Sequence, residues 1–453
     1  MNDALVIGAG AAGLAAAAHL AAHGRTVLVL EARDRIAGRC FSIASDASLQ
    51  DAGCPPELPA ELGAEFVHGA AQGTAQIMRR HAIVAIDAAE ERWLVQGGRL
   101  APANDAFEEM VHAFARARPR WLGRRDEPFA DFLARFDRRS LSPNARQLAL
   151  RLVEGFDAAD PSRVSAREIV EEWTSDSVLG ERQARPLGGY GALCDALAGE
   201  LAAQGAQVQL RTVVQRVLWR RGEVVVEATS DPGTRLRTHT YRARHAVVTV
   251  PLGVLQLRAG EEGPIEFDPP LRKQWALEHL EAGPVVKLVL EFARAFWEEA
   301  ARGRYRNAAF LLAPGRRFPT FWTGLPLRIP RIVAWAGGPR ASALAGLGRD
   351  ALAKIAVADL LAILECPAAR ARELRSVHFH DWQADPFSRG AYSYVRVGGD
   401  GARRRLAAPL ARTLFFAGEA TDWQGEAATV SGAIASGERA ARAVLRNESR
   451  RGS

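Results

Sequence analysis

The amino-acid sequence predicts an α/β fold: a parallel-sheet dinucleotide-binding (Rossmann) unit beside a second α+β domain of mixed sheet and helices. Three observations predict it. The chain opens with a strand, a glycine-rich turn, a helix, a second strand and an acid. A helical block without phosphate-binding turns follows, from about 104 to 184. Strand-like segments then return, and the chain closes on a strand, a turn at Gly418 and a long helix.

The opening carries the most information. Ala4-Leu5-Val6-Ile7 reads as a buried strand and Gly8-Ala9-Gly10-Ala11-Ala12-Gly13 as the turn after it. Gly8 permits the tight turn, Gly10 leaves the backbone bare for a pyrophosphate, and Gly13 lets the helix pack closely on the strand. Free N–H groups and partial positive charge at the helix start favour phosphate. A second apolar strand, Thr26 to Leu30, delivers Glu31 about 20 residues beyond the glycines, where a carboxylate accepts hydrogen bonds from a ribose.

Composition sets the bounds. At 453 residues the chain exceeds one ordinary core and implies two or three domains. A balance of 48% hydrophobic and 25% charged residues is that of a globular protein. No uninterrupted run of about 20 apolar residues occurs, so no membrane span is expected. The Ala-rich start lacks the basic leader of a signal peptide, and the polar end from Arg446 to Ser453 is expected to fray. Cys40, Cys54, Cys194 and Cys366 are scattered without a CxxC pair, which argues against a zinc site or disulfide framework and makes a reducing cytoplasm the expected compartment. The net charge of +7 comes from basic residues spread among acids, so neither nucleic acid nor a membrane is an expected partner. Arginine supplies all but three of the 59 basic residues; the lysines are Lys273, Lys287 and Lys354. A lysine inside an apolar strand therefore stands out.

The remaining elements follow in order. Pro55, Pro56 and Pro59 preclude regular structure before a short extended or turn segment at 61–69. Phe107, Met110, Val111 and Phe114 lie at helical spacing behind Asn104 as a cap, and Ser165 with Glu168 forms a capping box ahead of Ile169 and Trp173. The glycine-rich 186–191 leads into another helix. Strands are expected at 208–217, 223–228, 246–250 (closed by Pro251), 285–291, 331–335 and 374–380, with a helix at 349–364. The nucleotide-binding domain is accordingly expected to draw on 1–80, 185–270 and 405–453, and the second domain on 81–184 and 271–404.

Several motifs agree with one family: the opening fingerprint with Glu31, the segment Arg35 to Arg39, ELGAEFVHG at 61–69, PLGGYGAL at 186–193, VTVPLGVL at 248–255, the lysine strand at 285–291, DPFSRGAYSY at 385–394, and FFAGEATDWQGEAATVSGAIASGERAA at 415–441. The sequence resembles the flavin-dependent amine oxidases, which include monoamine and polyamine oxidases and lysine-specific histone demethylases. The resemblance spans nearly the whole chain. It implies a glutathione-reductase-like domain binding FAD, noncovalently because no cysteine lies near the expected attachment segment, beside a substrate domain.

The resemblance also assigns roles. Gly8, Gly10 and Gly13 would meet the pyrophosphate and Glu31 the adenosine ribose. Arg33 and Arg39 would meet the pyrophosphate or flavin edge, unless each is a surface ion pair. The family pattern has two glycines before Arg39, and here Ala37 replaces the first. Val213 and Val214, ordinary core by sequence alone, match a segment whose backbone meets adenine. Gly418 and Glu419 match the ribityl–phosphate contact, and Ala428, Thr429 and Val430 would face the ring. Ala12, Ala32, Gly38, Gly63, Ala64, Glu65 and Phe66 complete the implied cofactor contacts. No metal ligand set is implied.

On the reactive side, Lys287 in an apolar strand needs a partner or a function; the family lysine holds a water against flavin N5, and the alternative is an outward-facing strand lysine. Tyr392 matches an aromatic cage position, or is a core filler. Thr429 stands where monoamine oxidases carry the second tyrosine, which points toward the polyamine or demethylase branch. Trp382 resembles a tryptophan lining the flavin there. His68 matches a substrate-facing histidine that hydrogen-bonds an amine or relays protons, or is a structural histidine. Glu65, Glu172 and Asp176 are candidates to meet a second amino group. The implied activity is hydride transfer from a small amine to flavin, imine hydrolysis, and reduction of O2 to hydrogen peroxide. Rivals are an L-amino-acid oxidase, a natural-product desaturase or maturase, and a flavin-binding interaction protein without turnover.

Overall fold

The computed structural model describes residues 1–44, 58–121, 125–137, 139–174, 183–230, 237–258, 261 and 263–449. Cys54, Pro55, Pro56, Asp176 and the last four residues, singled out above, lie outside them. Among the described residues, no helix is long and apolar enough to cross a membrane.

An eight-stranded sheet holds the opening motif. Its parallel part runs Gln207–Gln209, Val27–Leu30, Asn2–Ile7, Arg237–Val248 and Leu414–Phe416. Arg237–Val248 continues into an antiparallel meander with Glu223–Ser230 and Thr212–Arg220, and Glu266–Asp268 closes the edge. Helices Ala11–Ala22, Gly189–Ala203 and Val430–Ser449 cover one face. The alanine run of the first helix is buried on all sides, which small residues allow: a Cβ at Gly437 of the last helix would lie 2.2 Å from the Ala12 carbonyl oxygen.

The single strand expected at 208–217 is two strands. Arg211 adopts a left-handed φ of 51°, and its N–H donates to the Arg33 carbonyl while Thr212 N–H donates to the Glu31 carbonyl. The chain thus turns around Glu31 and carries its halves to opposite sides of the sheet. Hydrophobic alternation carried no sign of this break.

A seven-stranded sheet runs Leu374–Phe379, Val285–Phe292, Arg331–Gly337, Thr320–Thr323, Phe310–Leu312, Arg92–Gln96 and Arg99–Pro102, antiparallel except between Phe310–Leu312 and Arg92–Gln96. Val285–Phe292 is buried along its whole length, Lys287 included. Helices Asn104–Trp121, Phe129–Arg135, Pro143–Gly155 and Ala166–Trp173 form a third body with Phe114, Phe129 and Trp173 in its core. The Ser165 hydroxyl caps its helix by accepting from Glu168 N–H at 3.1 Å; the Glu168 carboxylate turns away to Arg403 instead of completing the box.

Candidate active site

One cavity of about 670 Å³ runs from the opening glycine turn to the seven-stranded sheet. At its nucleotide end, Gly8 has φ 106° and a Cβ on Gly13 would lie 1.9 Å from the Gly8 carbonyl oxygen, whereas nothing lies within 4 Å of a Cβ on Gly10. The turn is closed by Gly8 and Gly13 and left open toward the cavity at Gly10. Glu31 shapes it from below, accepting from Ala9 N–H at 2.7 Å and Arg33 N–H at 2.9 Å. Ala37 keeps the left-handed backbone of the glycine it replaces (φ 75°), bridged to Gly10 and donating to the Ala9 carbonyl.

Ala12, Ala32, Gly38, Gly63, Ala64, Phe66, Val213 and Val214 line the same cavity. So do Gly418, Ala428, Thr429 and Val430, with Ala428 at φ 61°. Arg33 also lines it, but its guanidinium is committed to Asp385 (2.7 Å) and Ser388 (2.8 Å). Arg39 donates to the Ala391 carbonyl and to Glu419 (3.1 Å), and Glu419 accepts from the Ser393 hydroxyl at 2.6 Å. Both arginines therefore hold the wall in place. Cys40 reaches the wall as well.

At the other end Lys287 is 2% exposed, donating to Glu65 at 2.9 Å and to the Gly63 carbonyl at 3.0 Å. The outward-facing alternative is excluded. Glu65 also accepts from Arg185 (2.8 Å) and from the Trp322 indole (3.0 Å). Burial works against its charge, but Lys287 and Arg185 prevail and hold its carboxyl at about 2. Glu65 is therefore spent on internal cations, which leaves Glu172 of the described candidates for a second amino group.

Tyr392 is half-buried against the cavity and donates to the Phe156 carbonyl at 2.5 Å. Trp382 lines the wall and donates to the Leu62 carbonyl at 2.9 Å. The Thr429 hydroxyl accepts from Gly432 N–H (3.0 Å) and donates to the Glu426 carbonyl (2.7 Å). It caps the last helix, so its hydroxyl is engaged in structure rather than chemistry. His68 meets Phe156 edge-on at 5.4 Å, and its Nδ1 has no hydrogen-bond partner among the described residues. Burial lowers its pKa to about 4. It is neutral at pH 7, which favours hydrogen bonding over proton relay.

Two acids stand near Tyr392 in the same wall. Asp157 follows Phe156, and Glu172 belongs to the helix Ala166–Trp173; both line the cavity. Burial and the neighbouring Glu172 push the Asp157 carboxyl well up. Burial and Glu168 push Glu172 to about 7, with Arg403 pulling the other way. Sequence reasoning named Glu172 and missed Asp157. The signal available was an acid set directly after an aromatic in Phe156-Asp157.

The model of the family described as flavin containing amine oxidoreductase matches residues 11–445. The chain belongs to this family. It is 28% identical to human lysine-specific histone demethylase 2 over 96% of its own length, and spans about half (52%) of that protein. It is 29% identical to polyamine oxidase 2 of Arabidopsis thaliana, covering 92% of this chain and 83% of the relative. Putrescine oxidase solved with bound putrescine superposes with a TM-score of 0.78 at 20% identity, over 98% of this chain and 99% of the other. Cyclohexylamine oxidase from Brevibacterium oxydans gives a TM-score of 0.78 at 19% identity, over 99% of each chain. These two likenesses establish a shared fold.

Family membership implies a flavin cofactor, and the walls of the long cavity fit one. The bare backbone at Gly10 and the carboxylate of Glu31 suit the nucleotide half. Lys287, Tyr392 and Trp382 gather around the other end. When bound, the flavin supplies the two-electron chemistry; the protein supplies position, desolvation and electrostatics.

Proposed function

We propose that the protein is an oxidase of small di- or polyamines that carries noncovalent FAD. The eight-stranded sheet is read as the cofactor half and the seven-stranded sheet with its helices as the substrate half. The observation that carries the proposal is the continuity of one cavity from the Gly10 turn, past Lys287 and Tyr392, to the acid pair Asp157 and Glu172. An amine with its reacting nitrogen beside Tyr392 would place a second, charged nitrogen toward the acids. Phe66, Phe156, Phe310, Leu312, Trp322 and Trp335 line the same cavity with apolar side chains, which suits a methylene chain. The polyamine oxidase and putrescine oxidase relatives support the same substrate class.

Within that reading each side chain has a task. The Tyr392 ring, fixed through its hydroxyl, offers an electron-rich face to the reacting amine. Neutral His68 offers one ring nitrogen to it. Lys287, held by Glu65 and the Gly63 carbonyl, presents a fixed cation where negative charge develops, and O2 as acceptor yields hydrogen peroxide.

The test is anaerobic mixing of FAD-loaded protein with putrescine, spermidine, spermine, benzylamine and L-amino acids, read as loss of flavin absorbance. Reduction fastest with a di- or polyamine, and peroxide on readmission of air, is the expected result. Fastest reduction by an L-amino acid would move the assignment to that rival.

A further inference from the structure

A second cavity of about 70 Å³ lies behind the lysine strand and is lined by Glu61, Glu65, Arg185, Trp322 and Arg331 among others. Glu65 and Trp322 line the main cavity too, so the two spaces share a wall. The small one also touches Pro326 and Leu187, both exposed, and so reaches the protein surface. It has room for several waters and polar groups to bind them.

Glu61 is the unusual group there. It is 8% exposed and faces this cavity, not the main one. Its Oε1 accepts from the Ser42 hydroxyl (2.8 Å) and from Tyr190 N–H (2.9 Å) at the start of the helix Gly189–Ala203. Gly188 and Gly189 both take left-handed φ, and a Cβ on Gly189 would lie 1.9 Å from Glu61 Oε1. The double glycine thus brings the helix N-terminus down onto the carboxyl. Yet Oε2 is buried with no partner among the described residues. Beyond it stand Lys287, Glu65 and Arg185, two cations against one anion.

We infer that Glu61 is a proton acceptor coupled to the charge of the flavin: it takes up a proton from solvent through the second cavity when the flavin beside Lys287 is reduced, and releases it on reoxidation. This rests on the cofactor reading above and deepens it. The balance is closed. Hydride from the amine α C–H brings two electrons and one proton, leaving the flavin with one added negative charge. Glu61 carboxylate binds one proton from water and becomes the acid. On reoxidation, O2 takes the hydride equivalent and one proton to give H2O2, and Glu61 returns to carboxylate.

Electrostatics permits the cycle near neutrality. Burial pushes Glu61 up to about 7, against Lys287, the Ser42 and Tyr190 hydrogen bonds and with Glu65 adding to the rise. Arg185 and Arg331 face the same cavity, and the helix N-terminus also favours the anion. A carboxyl poised there responds to one new negative charge across a low-dielectric wall by binding a proton.

The experiment is a potentiometric titration of the FAD-loaded protein at several pH values between 5.5 and 8.5, with mediators and no amine. The wild type is expected to take up more than one proton per two electrons, about 1.5 at pH 7, where Glu61 is already half protonated, and closer to two about one pH unit higher, and E61Q one throughout. In parallel, infrared difference spectra of photoreduced wild type should gain a carboxylic C=O band that shifts on 13C-glutamate labelling. That measurement needs no variant. Equal proton stoichiometry in both proteins, or no such band in the wild type, overturns the inference and leaves the oxidase reading intact. A chain that takes up no flavin overturns both.

Discussion

Two groups of buried carboxylates face the same cavity and are built on opposite terms. Around Glu65 opposite charges are paired: Lys287 and Arg185 donate to it, and its carboxyl sits at about 2. Around Asp157 two acids share an apolar wall, and both are pushed upward, Glu172 to about 7. Burial penalises charge in both places. In the first, fixed cations overcome the penalty. In the second, a proton does so. The difference teaches that the Glu65 group is a fixture that orients Lys287, whereas the Asp157 group keeps its protons and, on the proposed reading, serves as the receptor.

The largest test of that contrast is Glu65→Gln. It leaves Lys287 and Arg185 facing one another without their anion. Breaking one side of a buried pair costs about 3–5 kcal/mol, to be read from the urea unfolding midpoint at pH 7. A loss below about 1 kcal/mol would mean that the lysine does not depend on Glu65.

Asp157→Asn is expected to move stability the other way or not at all, because it relieves a like-charge neighbour. Its effect belongs in binding. A charged hydrogen bond is worth about 1.5–3 kcal/mol, so kcat/KM for a diamine should fall about 10- to 100-fold while that for a monoamine of similar length stays within about threefold. Equal losses for both substrates would break the distinction between receptor and fixture.

Acidity separates the two groups by sign. The Glu65 carboxyl is depressed from 4.5 to about 2, so its contribution is complete above about 4.5 and is lost as pH falls through about 2. Glu172 is raised from 4.5 to about 7, so its contribution is present below 4.5 and is lost as pH rises through about 7; Glu61 acts in the same direction. Wild-type stability should therefore decline from pH 4.5 to 7. Glu172→Gln should flatten that decline by about 3 kcal/mol, measured as the melting temperature across pH 4–8. A slope unchanged by the substitution would place the titration elsewhere.

How much of this was legible in the chain follows from what kind of force fixes each part. The glycine turn, Glu31, the buried lysine strand and the final helix obey local rules of spacing and polarity, and the sequence shows them directly. Ala37 looked like a departure from the family pattern, yet the fold holds it left-handed, since neighbouring contacts set the backbone there. The break at Arg211 was invisible because hydrophobic alternation continues across it. The partners of Glu65 were not legible because nothing local reveals that Lys287, Arg185 and Trp322, all more than 100 residues away, converge on it. Asp157 was missed for the same reason: it lies in the bend after Pro143–Gly155, and its setting comes from Glu172 on the separate helix Ala166–Trp173.

The smallest expected effect sharpens the contrast from inside the fixture. Trp322 gives Glu65 a neutral N–H at 3.0 Å and packs beside Trp335 at 5.5 Å and Lys287 at 5.5 Å. Trp322→Phe removes that donor and some packing but leaves both cations on the carboxylate. The cost should be about 1–2 kcal/mol, well below that of Glu65→Gln, because an ionic partner and a neutral one are being compared at the same acceptor. The acid limb of the stability curve should keep its midpoint, since Lys287 and Arg185 still hold the Glu65 charge. If Trp322→Phe cost as much as Glu65→Gln, or shifted that limb toward neutrality, the indole rather than the ion pairs would be what fixes Glu65, and the contrast with the Asp157 group would rest on hydrogen bonding instead of charge.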